Sequence, residues 1–412
     1  MKRILALMLT AILATVNLSA CGNTENKPED NNDNVQQTED MGEEDLAVET
    51  RVQLLTNTYH KLTQEKKLTI AYIGGSVTDG YGSTNQSQNA WSAHLANHIR
   101  EQYPDVELSN IKKSIGGTGS YFASFRYERE VAPIEPDLLF VEYAINDKYN
   151  GVTYDQVVKS AESIVRLANK FNPAIDIIFV LTFDSTTKDS DYDQLKAHRD
   201  VAQYYGYPSL KMADKVYPML AETGDDYYVY FKDGVHPNDE GYAFYGKQVI
   251  ALFDEEIAKA KEAYTDYEDH VLPEKLMSDY VTLDANMLYA DEIDLTDSEG
   301  WTYQPSTNFS WLGTRYNGRI FANELGAKLT FEFEGTDLGL ATGIGPNMGI
   351  ITVTVDDREP VVIDEYRTSP NPKDRVIAEG LGDTTHTVTI EVTGKNEKSG
   401  GYEFEIGAIL IN

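Results

Sequence analysis

Between Arg51 and Lys261, short apolar runs alternate with amphipathic stretches of helical length, and no other feature constrains the fold as strongly. The runs are Leu68–Ile73, Val106–Ile111, Leu138–Tyr143, Ile175–Leu181 and a short one near Leu210–Met212. Helical patterns fall between and after them, at Trp91–Tyr103, Tyr154–Phe171, Tyr192–Tyr205 and Glu240–Ala263. Apolar runs of this length predict strands buried on both faces. Strands spaced by helices join through right-handed crossovers into a parallel sheet. The expected fold is α/β, a three-layer α/β/α sandwich over residues 51–265.

The pattern changes after Tyr264. A polar linker is expected over 266–279. From 280 to 412 the long helical period gives way to alternating runs such as Lys328–Phe333, Ile350–Val355, Thr385–Val392 and Tyr402–Leu410. These are separated by turn signals at Asp356-Asp357, Asn371-Pro372 and Gly400-Gly401. Period-two alternation with regular turns predicts an antiparallel β-sandwich.

The other end reads as an export signal. Lys2 and Arg3 precede an apolar core, Ile4 to Val16, too short to span a bilayer comfortably. Residues 1–20 are therefore expected to be a signal peptide. Leu18-Ser19-Ala20-Cys21 resembles a bacterial lipobox, whose cysteine is lipidated and becomes the mature N-terminus. Cys21 is the only cysteine in the 412 residues, so an internal disulfide is excluded. Residues 21–50 are rich in Asn, Asp, Glu, Gln and Thr and predict an extended acidic tether. The expected location is the outer face of a bacterial membrane, held by lipid on Cys21. A formal net charge of −32 argues against a nucleic-acid partner.

Four stretches carry chemistry. Ser76 comes after the first strand, behind Gly74 and Gly75, at the end of the sheet where ligands bind in open α/β folds. Ser114-Ile115-Gly116-Gly117-Thr118-Gly119-Ser120 comes after the second strand. The third runs into Ala144-Ile145-Asn146-Asp147, and Asp233-Gly234-Val235-His236 stands late in the region. Each has a plain structural reading alone: a Gly-Gly-Ser turn, a helix cap at Asn146-Asp147, a loop at Asp233-Gly234. Jointly they supply a reaction. A serine hydroxyl needs a base, and His236 is available; Asp233, three residues earlier, can orient and balance the imidazole. The oxyanion of a tetrahedral intermediate needs donors already in place. The backbone N–H groups of Ser76 and Gly117 and the side-chain amide of Asn146 can provide them.

In order and spacing these stretches resemble the blocks of the SGNH (GDSL-type) hydrolase superfamily. The resemblance implies Ser76 as nucleophile, Gly117 and Asn146 as oxyanion-hole residues, and Asp233 with His236 as the Asp-x-x-His pair. It also implies hydrolysis of esters without a cofactor. Three positions depart from the lipase-like pattern: Gly75 where many members have aspartate, Lys112 in place of an asparagine, and Ala144 in place of glycine. The first resembles the Gly-Gly-Ser variants of bacterial carbohydrate esterases. Of the other histidines, His94 and His98 have helical i, i+4 spacing but no evident third metal ligand and are expected to lie on an exposed helix face; His60, His198, His270 and His386 lack a comparable setting.

Residues 280–412 resemble the jelly-roll modules that accompany carbohydrate esterases. Trp301, Tyr303, Trp311 and Tyr316 are candidate sugar-stacking aromatics, with core packing or cover for the hydrolase region as the competing role. The expected function is removal of small acyl groups, acetyl foremost, from polysaccharide or oligosaccharide hydroxyls. O-acetyl editing of the cell's own wall polymers, or carbohydrate binding by a surface lipoprotein with an inert site, are the alternatives. An acylated glycan and the membrane are the expected partners.

Overall fold

The computed structural model describes residues 51–187, 191–279, 281–305 and 316–412. The signal, Cys21, the tether and Trp311 lie outside them. Five strands, β1 (Lys67–Gly74), β2 (Glu107–Lys112), β3 (Leu138–Glu142), β4 (Asp176–Leu181) and β5 (Ser209–Lys211), form one sheet in the order β2-β1-β3-β4-β5. Every pairing is parallel.

Side chains alternate across the strands, and both faces are covered. Ala71, Ile73, Leu139, Val141, Ile177 and Phe179 face one core, shared with the helices Tyr154–Phe171 and Asp193–Tyr205. Leu68, Ile70, Tyr72, Phe140, Ile178 and Val180 face the other, packed on Trp91–Gln102 and Asp239–Ala263. The sequence pattern places all four helices to within a residue. It does not anticipate Ser120–Arg126, Ala144–Asn150 or Ala213–Thr223, the last of which contains Pro218.

Register positions the site. Gly74 of β1 lies opposite Glu142 of β3, and Tyr72 opposite Lys112 of β2. Three strands therefore end together, and the residues beyond their ends, Ser76, Gly117 and Asn146, emerge at one edge.

The C-terminal region is β-rich throughout. Its strands are β6 (Asn286–Tyr289), β7 (Ser298–Glu299), β8 (Thr302–Pro305), β9 (Gly318–Ala322), β10 (Lys328–Gly335) and β11 (Leu338–Ile344). They continue with β12 (Gly349–Val355), β13 (Val361–Asp364), β14 (Asn371–Ala378), β15 (Thr384–Lys395) and β16 (Phe404–Ile411). Two sheets result, β13-β12-β15-β10-β7 and β14-β11-β16-β9-β8, with β6 added on β16. Their pairings are antiparallel. Leu329, Val353, Val388 and Ile390 of the first sheet meet Leu340, Ile406 and Ile409 of the second in a common core.

The two regions share buried surface. The helix Ser120–Arg126 has all seven residues buried. Its Tyr121, Phe122 and Phe125 pack with Met287, Tyr316, Ala341, Ala408 and Leu410 of the β-rich region. Contact is close enough that a Cβ on Gly339 would stand 2.6 Å from the Tyr121 hydroxyl. Buried Lys159 pairs across the junction with Asp337 at 2.9 Å and Glu379 at 3.1 Å. The linker is strapped down by Glu162, fully buried, whose carboxylate accepts the Met277 and Ser278 amides at 2.8 Å.

With the core running through the junction, the two regions should unfold together. Phe122→Ala removes a fully buried ring and is expected to cost about 3–5 kcal/mol. Urea denaturation monitored by far-UV and tryptophan signals should show one shared transition shifted downward; two separate transitions would contradict the shared core.

Candidate active site

The chain leaves β1 at Gly74, turns at Gly75, and starts a one-turn helix, Ser76–Asp79, on the serine itself. As first helical residue, Ser76 has a backbone N–H without an intrahelical acceptor. Its Oγ lies 2.7 Å from His236 Nε2. His236 Nδ1 faces Asp233, at 2.8 Å from Oδ2 and 3.0 Å from Oδ1. Burial works against the Asp233 charge, but the amides of His236 and Val235 and the His236 ring outweigh it, so the carboxyl sits below the usual range. Asp233 is thus held ionised beside the imidazole. The ring of Tyr81 packs edge-on to His236, with centroids 4.7 Å apart.

The expected oxyanion donors converge on the same place. Ser76, Gly117, Asn146 and His236 line one cavity of about 630 Å³. Asn146, on the buried first turn of the helix Ala144–Asn150, donates from Nδ2 to the Thr118 carbonyl at 2.8 Å. An amide nitrogen carries two protons, so one remains for a ligand. Gly75 explains how the amide fits: a Cβ there would lie 2.3 Å from Asn146 Nδ2. Gly117 adopts φ +87°, a left-handed conformation that L side chains disfavour. A Cβ on it would also press Asn371 and Pro372 at 3.1 Å.

Those last contacts come from the β-rich region, which forms one wall of the cavity. Ile344, Arg367, Pro370, Asn371, Pro372 and Lys373 line it opposite Tyr81 and Tyr149. Asn371-Pro372 does not form the expected turn but opens β14, the edge strand of its sheet. Proline is compatible with the start of an edge strand, where no ladder hydrogen bond is lost. Asp374 of β14 accepts the Gly119 amide at 3.2 Å and Asn150 Nδ2 at 3.0 Å. Burial foremost, then the charge of Asp147, raises its carboxyl to about 6 against the opposing effects of Lys373 and the Gly119 amide. Lys373 Nζ donates to Asn150 Oδ1 at 2.8 Å.

Asp374, Lys373, Asn150, Tyr81 and Tyr149 are not singled out by the sequence. Nothing in the sequence marks the two tyrosines, which the structure leaves 46% and 61% accessible. The candidate aromatics stand elsewhere. Trp301 and Tyr316 are buried, Trp301 in the sandwich core and Tyr316 against Phe122 at the junction. Tyr303 is partly exposed on β8 and donates to the Asn317 carbonyl. None of these three lines the cavity.

Three buried histidines prove to be carboxylate partners: His198 with Asp147 at 2.7 Å, His270 with Asp176 at 3.0 Å and His386 with Asp356 at 2.6 Å. His98 pairs with Asp254 at 2.8 Å. Among the described residues, no cluster of three metal-ligating side chains occurs. A second cavity, of about 590 Å³, lies by the starting ends of β1 to β3, lined by Lys67, Thr69, Glu107 and Asp137. It is on the edge opposite Ser76.

Under the turn that carries Ser76 sits Glu142, fully buried. Its carboxylate accepts from Thr78 N at 3.2 Å, Thr78 Oγ1 at 2.8 Å and Thr182 Oγ1 at 2.5 Å. Burial raises it to about 7, only partly offset by those donors.

Known proteins share this architecture. Residues 72–244 match the model of the GDSL-like Lipase/Acylhydrolase family. The chain resembles the structure of a two-domain esterase (CEX) active on acetylated mannans, with a TM-score of 0.72 and 19% identity over 87% of this chain and 95% of that one. The same esterase co-crystallised with mannopentaose gives 0.73 and 19%, over 88% and 95%. At this identity the likeness establishes the fold alone, a parallel-sheet α/β domain joined to a β-rich one. No curated protein matches the chain.

Two measurements test the site. Gly75→Ala should displace the Asn146 amide and cost transition-state stabilisation like the loss of one oxyanion donor, about 2.7–4 kcal/mol. Combined with Asn146→Ala it should add little, because both changes remove the same donor; additive losses in kcat/KM for 4-nitrophenyl acetate would refute the shared role. Glu142 makes stability depend on pH. Below its unfolded value of 4.5 it is protonated in both states. From there to about 7 the folded chain keeps a proton the unfolded chain has released, so the contribution to stability is lost as pH rises. Glu142→Gln should flatten the fall in urea midpoint between pH 5 and 8, and an unchanged slope would exclude this carboxyl as its source.

Proposed function

We propose that this protein is a lipid-anchored cell-surface serine esterase that removes O-acetyl groups from polysaccharides or their oligosaccharides. The observation that carries the reading is the connected Ser76–His236–Asp233 array, with 2.7 Å and 2.8 Å links, at a cavity shared by Gly117 and Asn146. His236 takes the Ser76 proton as Oγ attacks the ester carbonyl. The oxyanion is received by the Ser76 and Gly117 amides and by Asn146. His236 then protonates the departing sugar hydroxyl, leaving an acetyl-serine. In the second half it takes a proton from water, which attacks the acetyl carbonyl, and returns it to Ser76.

The glycan part of the reading is supported by the open cavity flanked by exposed Tyr81 and Tyr149, whose faces suit the C–H face of a pyranose. It is supported too by the two-domain likeness, though that esterase's substrate is its own. The anchor rests on residues 1–21 alone. Among the described residues, no helix is long and apolar enough to cross a membrane; the proposed anchor is lipid at Cys21. Cys21→Ser should move the protein from the membrane fraction to the medium; continued retention would exclude that anchor.

Ser76→Ala should lower 4-nitrophenyl acetate hydrolysis at least about a thousandfold. Acetate release from acetylated glycans should be lost with it, and activity that survives the change would sink the mechanism.

A further inference from the structure

Three cations stand around the Ser76 cavity, and each meets carbonyls or a ring instead of a carboxylate. Arg367 and Lys373 line it. Arg367 donates to the carbonyls of Asp364 and Tyr366, and Lys373 to the Tyr149 carbonyl and Asn150 Oδ1. Lys232 holds its ammonium 4.5 Å from the centre of the Tyr81 ring. Two neighbouring cations that do not line the cavity are neutralised, Lys148 by Asp184 and Arg375 by Glu365.

Among the described residues, the lining contains no Asp or Glu. Carboxylates outnumber cations in the chain, 67 to 35, so this wall reverses the local balance. Lys373 is also placed at a disadvantage. Burial, joined by the charges of Arg375 and Arg367, works against its ammonium more than Asp374 and Glu365 favour it, and it is held down to about 8. A half-buried cation without a close counter-ion is costly to the folded chain. An anion delivered by a ligand would relieve that cost.

We propose that the substrate is an acidic O-acylated glycan, whose anionic oxygen group sits against Arg367 and Lys373 while the ester reaches Ser76. This rests on the esterase reading above and narrows it. The group is a uronosyl carboxylate or a backbone phosphodiester. The guanidinium fork suits either by paired hydrogen bonds, and the ammonium adds a point charge. Repulsion from the acidic remainder of the protein does not prevent docking, because charges farther than about 8 Å are largely screened at physiological salt.

The test measures kcat/KM by acetate release with the full chain on four acetylated polymers: homogalacturonan, a glycerol-phosphate polymer, mannan and xylan. At least one acidic polymer should exceed both neutral ones by about tenfold, and which one does so identifies the anion. The advantage should shrink as salt rises. In Arg367→Gln the acidic-to-neutral ratio should fall about tenfold, with Lys232→Gln as a second variant expected to lower it less. Equal or greater rates on neutral polymers overturn the proposal, as does a ratio indifferent to salt and to Arg367. The esterase reading fails differently: 4-nitrophenyl acetate hydrolysis would then be independent of Ser76. Ser76-dependent hydrolysis of that ester with no release from any polymer would overturn the glycan assignment and this proposal with it.

Discussion

A buried carboxylate, Asp147, ties the catalytic edge together. It directly succeeds Asn146 and accepts Ser120 N and Ser120 Oγ at 2.8 Å and His198 Nε2 at 2.7 Å. Through it the loop after β2, which bears Gly117, is fastened to the helix after β3, which bears Asn146. Gly119 lies in the gap: a Cβ there would come within 2.2 Å of Asp147 Oδ1. Both elements that carry the expected oxyanion donors are therefore fixed to one buried carboxylate before any ligand arrives, the condition under which donors stabilise a transition state without reorganising. His198 gives that buried carboxylate a ring-nitrogen partner. Removing one partner of a buried hydrogen-bonded pair leaves the other unsatisfied.

The β-rich region bears on the same loop from the other side. Its edge strand β14 brings Asp374 to the Gly119 amide and Asn150, and Asn371-Pro372 to Gly117. An exposed edge is a template for unwanted pairing unless something covers it. Here the covered edge is also a wall of the cavity. The arrangement sets two carboxylates, Asp147 and Asp374, near each other in a dry place, which is part of why Asp374 titrates near 6. Lys373 moderates that repulsion and is itself left short of a counter-ion. The junction and the cavity wall thus share one set of charges.

The legible part of the sequence is set by where its patterns act. Periodicity within a segment reports which residues are buried, so β1, β3, β4 and the long helices are readable, as is the alternation in β10, β12 and β15; the edge strand β2 has no fully buried residue and β16 is buried on both faces without alternating. Block order makes Ser76, Gly117, Asn146, Asp233 and His236 readable because each lies after a parallel strand or in a late loop. Periodicity does not report which strand edge meets another region. Asn371-Pro372 therefore looks like a turn, and the cavity wall it belongs to is invisible. The aromatic reading misses Tyr81 and Tyr149 for a related reason: composition does not distinguish Trp301 in a core from a tyrosine on a rim.

The three departures from the lipase-like blocks now have physical explanations. Gly75 is the space that Asn146 fills; any side chain at 75 would meet that amide or displace it. Lys112 reaches back to the carbonyls of Asp79 at 2.8 Å and Gln86 at 3.0 Å, capping the turn just past the nucleophile. Ala144 is fully buried in the core beside Tyr143, where the helix carrying Asn146 begins. Each departure thus supports the elements that carry Ser76 and Asn146. Their combined effect is to bring the amide against the strand end, leaving the space above Ser76 to be closed by β14. A chain without the β-rich region would leave Gly117 facing solvent where Asn371 and Pro372 now stand. The departures and the second domain are consequently one geometric solution: the first draw the donors inward, and the second closes the cavity over them.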